Sequence, residues 1–460
     1  MSIMSTAMSK RSPVMDHCLS AARARQRVDA ATAPQRYARM FPHVPPFTAD
    51  EEFLRALGRA GGVCDCGTEV DDAGSEAEGA AGWPIFGQFI AHDVTADRSA
   101  LQIHADVSEL RNARSPKLNL EGLYGDGPVG HPFLFQRDDP ARFLLGTGGD
   151  DLPRNSQGLA LCADPRDDSH LLVSQLHVAM LKVHNAFVDQ ARETSVESSQ
   201  VFAHAARQTL WSYHWIVLHQ FLPMLVGQAL VDELLAEGPR HYLPKPAPYI
   251  PLEFADAAYR YGHCQIRQRY QVNRRSAPLR LFPDLLGFRA VPMERRVEWD
   301  LFFDTPGSPT AQRAKKIDGK LVRPLIQLPS AITGDLEVAD YHSLAMRDLQ
   351  RGQGTALPSG EALARHLHIP PLSSSEVGLV EIGWSGETPL WYYILREADV
   401  RAGGNRLGPL GGQIVAEVLI GLLRYDSTSL LNAGADWRPN FGGSDQTSLA
   451  QLLAWAESAA

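Results

Sequence analysis

The chain has 460 residues and carries 44 Lys+Arg against 53 Asp+Glu, a net charge of −9. No basic surplus exists to neutralise phosphates, which excludes a general nucleic-acid binder. With 44% hydrophobic and 21% charged residues, a predominantly disordered chain is excluded as well.

No stretch reaches about 18 uninterrupted apolar residues, so no membrane span is expected. The richest segment, 210–227, is interrupted by His214, His219, Gln220 and Pro223. The opening MSIMSTAMSKRSPVMDHCLSAARARQ lacks the apolar core of a signal peptide. Five cysteines (Cys18, Cys64, Cys66, Cys162, Cys264) do not describe a disulfide framework. The expectation is a cytoplasmic protein.

In chain order, residues 1–45 are polar, Arg- and Ala-rich, and end near Pro45-Pro46. They read as an N-terminal arm, partly disordered at its start, that wraps a body spanning 46–460. Residues 61–82 are rich in Gly, Asp and Glu and read as a loop. Its Cys64-x-Cys66 has no second pair and so describes no metal site. From Trp83 onward helical patterns dominate. Leu172, Leu176, Ala179, Met180, Val183 and Phe187 share one face of a long helix. A second helix runs from about 201 to 222, where Pro223 ends or bends it. Further helices are expected at 361–368, 411–423 and 447–458. Strand-like alternation is scarce, and long Pro- and Gly-rich loops separate the helices. The fold class is mainly α, one large helical domain with long loops and little β.

Three segments carry chemistry. In Trp83–Asp93, Gln88 and His92 stand at i and i+4 and project into one space if the segment is helical, while Asp93 turns about 100° away and can serve a cation. An amide beside an imidazole suits a bound peroxide, the imidazole taking a proton and returning it to the departing oxygen. Arg166, in Ala163-Asp164-Pro165-Arg166, is an ordinary ion-pair residue unless it faces His92. There a fixed cation would stabilise charge on a cleaving O–O bond. In Tyr259-Arg260-Tyr261-Gly262-His263, Gly262 admits a flat group and His263 can ligate a metal. His170, His177 and His184, seven apart, could form a non-haem metal ladder but bring no carboxylate at matching spacing. Hydrogen-bonded core histidines are the plainer reading.

Taken together, these segments resemble the animal-type haem peroxidase (peroxidase–cyclooxygenase) superfamily, its bacterial members most closely, over about residues 41–431. Gly87–Asp93 is similar to the family's distal motif, and Asp164-Pro165-Arg166 with His184-Asn185 to its catalytic-Arg helix. Residues 259–263 are similar to the proximal motif. The resemblance implies His92, Arg166 and Gln88 as the catalytic set, His263 as the iron ligand and Arg260 as a propionate partner. Asp348-Leu349-Gln350-Arg351 is similar to the segment whose first residue hydrogen-bonds the proximal His. That makes Asp348 the partner of His263, giving it imidazolate character, and places Arg351 on the second propionate. The two carboxylates that esterify haem in mammalian members are replaced by Ala91 and Ser169, so the implied cofactor is non-covalent haem b. A calcium site accompanies this fold, and the matching oxygens are those of Asp93, Ser115, Lys117 (carbonyl), Asn119 and Glu121.

The implied activity is reduction of hydrogen peroxide with one-electron oxidation of a small organic donor or halide. Fatty-acid oxygenases share the scaffold but place a radical-forming Tyr three residues before the proximal His, where this chain has Arg260. Tyr213-His214-Trp215 copies part of the oxygenase string and lies some fifty residues too early. A non-catalytic haem-binding sensor is the third reading, against which the Gln88, His92, Arg166 and His263 set speaks. The donor and the oligomeric state are not written in the sequence.

Overall fold

A computed structural model describes residues 35–67, 73–96, 111–305, 311–434, 436–441 and 447–459; the start of the expected N-terminal arm lies outside them. The α-helices of eight residues or more are α1 (Glu51–Gly58), α2 (Gly82–Val94), α3 (Leu171–Glu193), α4 (Val201–Ile216), α5 (Gln228–Glu237), α6 (Leu344–Gly354), α7 (Leu390–Ala402), α8 (Pro409–Tyr425) and α9 (Leu449–Ser458). Their starts follow local chemistry. Asp50 accepts from Phe53 N at 2.7 Å to open α1, and Ser448 with Gln451 forms a capping box on α9. Pro409 in the first turn of α8 loses no intrahelical bond.

Helix α3 is the centre of the molecule. Residues Leu171 to Val188 are buried on every side, so the face read from the sequence is only part of what it buries. It packs against α2, α4 and α9. By length and apolarity α3 alone among the described helices resembles a membrane span, but it lies wholly inside the protein. At Pro223, expected to end or bend the helix, the helical run continues but changes form. Helix α4 passes into a π turn, Val217–Phe221, and helical residues Leu222–Val226 carry Pro223 in their first turn. The widened turn accommodates the missing N–H, and Gly227, with φ of 89°, ends the run.

The remaining helices lie close to expectation, with Gly360–His366 for the third predicted segment. Among the described residues, strand is confined to short pieces in one three-stranded and two two-stranded sheets. Gln35–Ala38 lies between Arg111–Asn112 (antiparallel) and Ile250–Pro251 (parallel), with Tyr37 opposite Ile250. Tyr37, Met40, Phe41 and Val44 are buried in the main core. The described part of the expected arm thus packs against the body. Glu253 fixes this stretch, accepting from Met40 N (2.9 Å), Phe41 N (3.2 Å) and Arg39 Nε (2.7 Å).

A 3-10 segment, Ala258–Gln265, packs among α2, α7 and α8. It carries His263 to the cavity that α2 also lines.

Candidate active site

One cavity of about 230 Å³ is lined by Gln88, Ala91, His92 and Thr95 from α2, by Arg166 and Ser169, and by Arg260, Gly262 and His263. Arg347 and Arg351 of α6 complete its polar rim, with apolar walls from Phe254, Leu325, Leu328, Ile332 and Leu344. Three segments far apart in sequence thus meet at one space.

Arg166 sits in a 3-10 turn, Pro165–Asp168, that Asp164 caps by accepting from Arg166 N at 2.9 Å. The Asp164 carboxylate also accepts from Arg166 Nη2 and from Arg114 Nη2, each at 2.6 Å. Burial opposes ionisation of Asp164, but the two guanidiniums prevail and hold it well below the usual carboxylate range. Arg166 Nη2 donates to His92 O (3.1 Å) and Thr95 O (2.7 Å) as well. With Nε and Nη2 bonded inside the protein, Nη1 is the donor that remains for a ligand. The turn is pinned from behind: Gly287 N donates to Ser169 O at 3.0 Å and Phe288 N to Asp168 O at 2.7 Å. A Cβ on Gly287 would come within 1.9 Å of Asp168 O, so only glycine permits this approach.

His92 is buried, and its Nδ1 donates to Asp167 Oδ1 at 2.7 Å. Burial and the Arg166 charge push the imidazole below its ordinary pKa, with Asp167 acting the other way. His263 Nδ1 donates to Asp348 Oδ2 at 2.5 Å, so Nε2 is the ring nitrogen a metal would take. Arg260 lines the cavity, but Nη1 donates to Asp348 Oδ1 at 2.9 Å, Nη2 reaches Asp256 Oδ1 at 3.4 Å, and Nε donates to Ala255 O. It buttresses the His263–Asp348 pair, a role that its expected place on a propionate does not include. Arg351 Nε donates to the same Asp256 Oδ1 at 2.8 Å.

The histidine ladder divides. His170 accepts from Leu172 N at the start of α3, and His177 Nδ1 donates to Asp167 Oδ2 at 3.0 Å. His184 accepts from the Tyr124 hydroxyl and donates to Ala141 O. His214 is likewise structural, donating to Leu118 O at 2.6 Å and accepting from Leu430 N. Neither cysteine of the 64/66 pair is bonded to another.

The residues expected to hold calcium are neighbours, bonded to one another and to Arg114. Glu121 Oε2 accepts from Ser115 N (3.1 Å) and Ser115 Oγ (2.8 Å), and Glu121 Oε1 faces Arg114 Nη1 at 3.3 Å. Asn119 Oδ1 accepts from Glu121 N, as does Asp93 Oδ1. The Lys117 side chain reaches Asp426. Glu121, Asn119 and one Asp93 oxygen are thus engaged within the loop, and the Arg114 guanidinium stands beside them. Of the side-chain oxygens expected at the site, Asp93 Oδ2 is the one buried without a hydrogen bond, and no group of three or more metal-ligating His, Cys, Asp or Glu exists among the described residues. Burial pushes Asp93 up to about 7.

Sequence reasoning missed Asp167, Asp256, Arg114 and Tyr37, which touch or line the site. Asp167 stands beside Arg166 in the sequence. Adjacency was the one available signal, and only a 3-10 turn aims its carboxylate at His92.

A sequence profile of animal haem peroxidases matches residues 102–376. The chain belongs to the animal haem peroxidase family. Chorion peroxidase of Drosophila melanogaster is 26% identical over 272 residues, 55% of this chain and 32% of that protein. Heme peroxidase 2 of Caenorhabditis elegans is 26% identical over 113 residues, 23% and 16% respectively. The chain thus matches about a third or less of either relative's length. Peroxidase A of Dictyostelium discoideum superposes with a TM-score of 0.65 at 13% identity, over 97% of this chain and 98% of the other. A fatty acid alpha-dioxygenase of Oryza sativa gives 0.61 at 15%, over 89% and 76%. At these identities the likeness to both is one of fold.

The family's name points to haem as the group such a cavity would hold. The cavity fits that group. It offers an imidazole whose Nδ1 is held by a buried carboxylate, arginines for carboxylate groups, and apolar walls for a flat macrocycle. A Cβ on Gly262, next to His263, would meet nothing within 4 Å, so the cavity is open there.

Proposed function

We propose that the protein is a peroxidase using non-covalent haem b, reducing hydrogen peroxide at the expense of a small one-electron donor. The observation that carries this reading is the meeting of His92, Gln88 and Arg166 with the carboxylate-held His263 around one cavity. When bound at His263, haem supplies the iron that passes two oxidising equivalents from peroxide to donors. His92 Nε2 takes a proton from hydrogen peroxide and returns it to the oxygen that leaves as water. Arg166 Nη1 and the Gln88 amide orient the peroxide and offset the charge that builds as the O–O bond lengthens. Ala91 and Ser169 line the cavity where esterified members carry carboxylates, which supports a haem held without covalent links.

A second reading, a fatty-acid oxygenase, is favoured by Tyr259 and Tyr261, which line the same cavity beside its apolar wall. The residue three before His263 is nevertheless Arg260, tied to Asp348. Haem-loaded protein is expected to change its Soret band on one equivalent of peroxide and to release its haem into acid–acetone. His92→Ala should slow the peroxide reaction by about 10²–10⁴-fold with haem retained. Oxygen uptake with palmitate, together with peroxide kinetics unchanged in His92→Ala, would replace the peroxidase by the oxygenase.

A further inference from the structure

The Pro165–Asp168 turn is 3-10, so successive side chains step by about 120° and leave in three directions. Arg166 enters the cavity, while Asp168 turns away to pair with both terminal nitrogens of Arg154 at 2.8 and 2.7 Å. Asp167, only 1% exposed, points between α2 and α3. Each of its oxygens accepts one imidazole N–H: Oδ1 from His92 Nδ1 at 2.7 Å, and Oδ2 from His177 Nδ1 at 3.0 Å.

An ionised carboxylate can only accept, so a bare Nδ1 placed at 2.7 Å from it would set two lone pairs against each other. Both rings therefore carry a proton on Nδ1, and in neutral His92 the lone pair is on Nε2. The backbone of the same residue is held from two other segments, His92 O accepting from Arg166 Nη2 at 3.1 Å and Arg114 Nε at 3.2 Å. The turn that holds the ring thus also holds the main chain, with Arg114 as a second support.

We propose that Asp167 is a positioning residue for His92, selecting the Nδ1–H tautomer and the ring orientation that make Nε2 the base, with His177 steering the carboxylate from α3. The inference rests on the peroxidase reading for the purpose of that base, while the tautomer itself can be read without turnover.

The test uses full-length protein labelled with ¹⁵N in its histidine rings, with signals assigned through His92→Ala and His177→Phe. Wild type should show both rings protonated at Nδ1. Asp167→Asn is isosteric and presents one oxygen and one NH₂, so at most one ring keeps its Nδ1–H bond and the other loses or inverts its tautomer. Persistence of both Nδ1–H signals in Asp167→Asn would overturn the proposal. In haem-loaded protein, cyanide association should slow by about 10-fold or more in Asp167→Leu at unchanged haem content, with Asp167→Asn between it and wild type. Asp168→Ala loosens the same turn through Arg154 and should leave the His92 tautomer intact; a lost tautomer there would make the effect one of turn stability and sink the assignment. If instead His92→Ala leaves peroxide kinetics unchanged, the peroxidase reading falls and the tautomer result still decides the role of Asp167.

Discussion

Asp348 is a fully buried carboxylate whose two oxygens serve His263 and Arg260. Taking up the imidazole proton increases the donor strength of the other ring nitrogen, and with it the electron density on any iron it ligates. Asp348→Asn offers a neutral carbonyl in place of that carboxylate. The expected result is a higher ferric/ferrous reduction potential with haem still bound, measured by spectroelectrochemical titration. An unchanged potential would show that Arg260 already neutralises the carboxylate. The variant also leaves Arg260 with Asp256 as its remaining acidic partner, so some loss of thermal stability accompanies the shift.

Among the elements, buried carboxylates hold chain ends that helices and strands leave unsatisfied. Glu417 accepts from the N–H groups of Arg240, His241 and Tyr242, and Glu397 accepts from Leu410 N at 3.0 Å and Gly411 N at 3.2 Å at the start of α8. Burial nonetheless pushes Glu397 up to about 7, above the value the unfolded chain would have. A carboxyl raised in the folded state contributes stability that is complete below its unfolded pKa and is lost as pH rises through the folded one. Thermal stability attributable to Glu397 should therefore decline between about pH 5 and pH 8. Glu397→Gln should flatten that decline in melting experiments across this range. An equal slope in the variant would mean that the helix terminus offsets burial. The helices themselves were legible because α3, α8 and α9 have caps or apolar periodicity strong enough to read locally. Pro223 announced a break in the helix but not its form: the π turn over residues 217–221 depends also on how those residues pack.

For the whole molecule, Arg114 joins three parts of the site: the 115–121 loop through Glu121, the Arg166 turn through Asp164, and α2 through His92 O. Removing it would leave buried Asp164 with Arg166 as its guanidinium partner and take the cation from Glu121, a loss of about 1–3 kcal/mol. Arg114→Ala should accordingly melt at markedly lower temperature. A calcium chelator should leave the melting temperature of wild type unchanged, and a large chelator-induced drop would show that the 115–121 loop rearranges around an ion. Haem bound to the folded chain alone would raise the melting temperature with the logarithm of its excess over the dissociation constant.

Residue type and spacing alone determined that the chain is mainly helical, and singled out Gln88, His92, Arg166 and His263, because each stands in a short motif whose chemistry is visible locally; Asp348 and Arg351 entered only through the resemblance to the family. The meeting of these motifs, the His92–Asp167–His177 bridge, the coupling of Arg260 to Asp348 and the place of Arg114 beside Glu121 and Asp164 were decided by tertiary structure. Each depends on the direction of a side chain across a 3-10 turn or between packed helices. Those directions are set by burial and by long-range hydrogen bonds between segments tens to hundreds of residues apart, which no local pattern encodes.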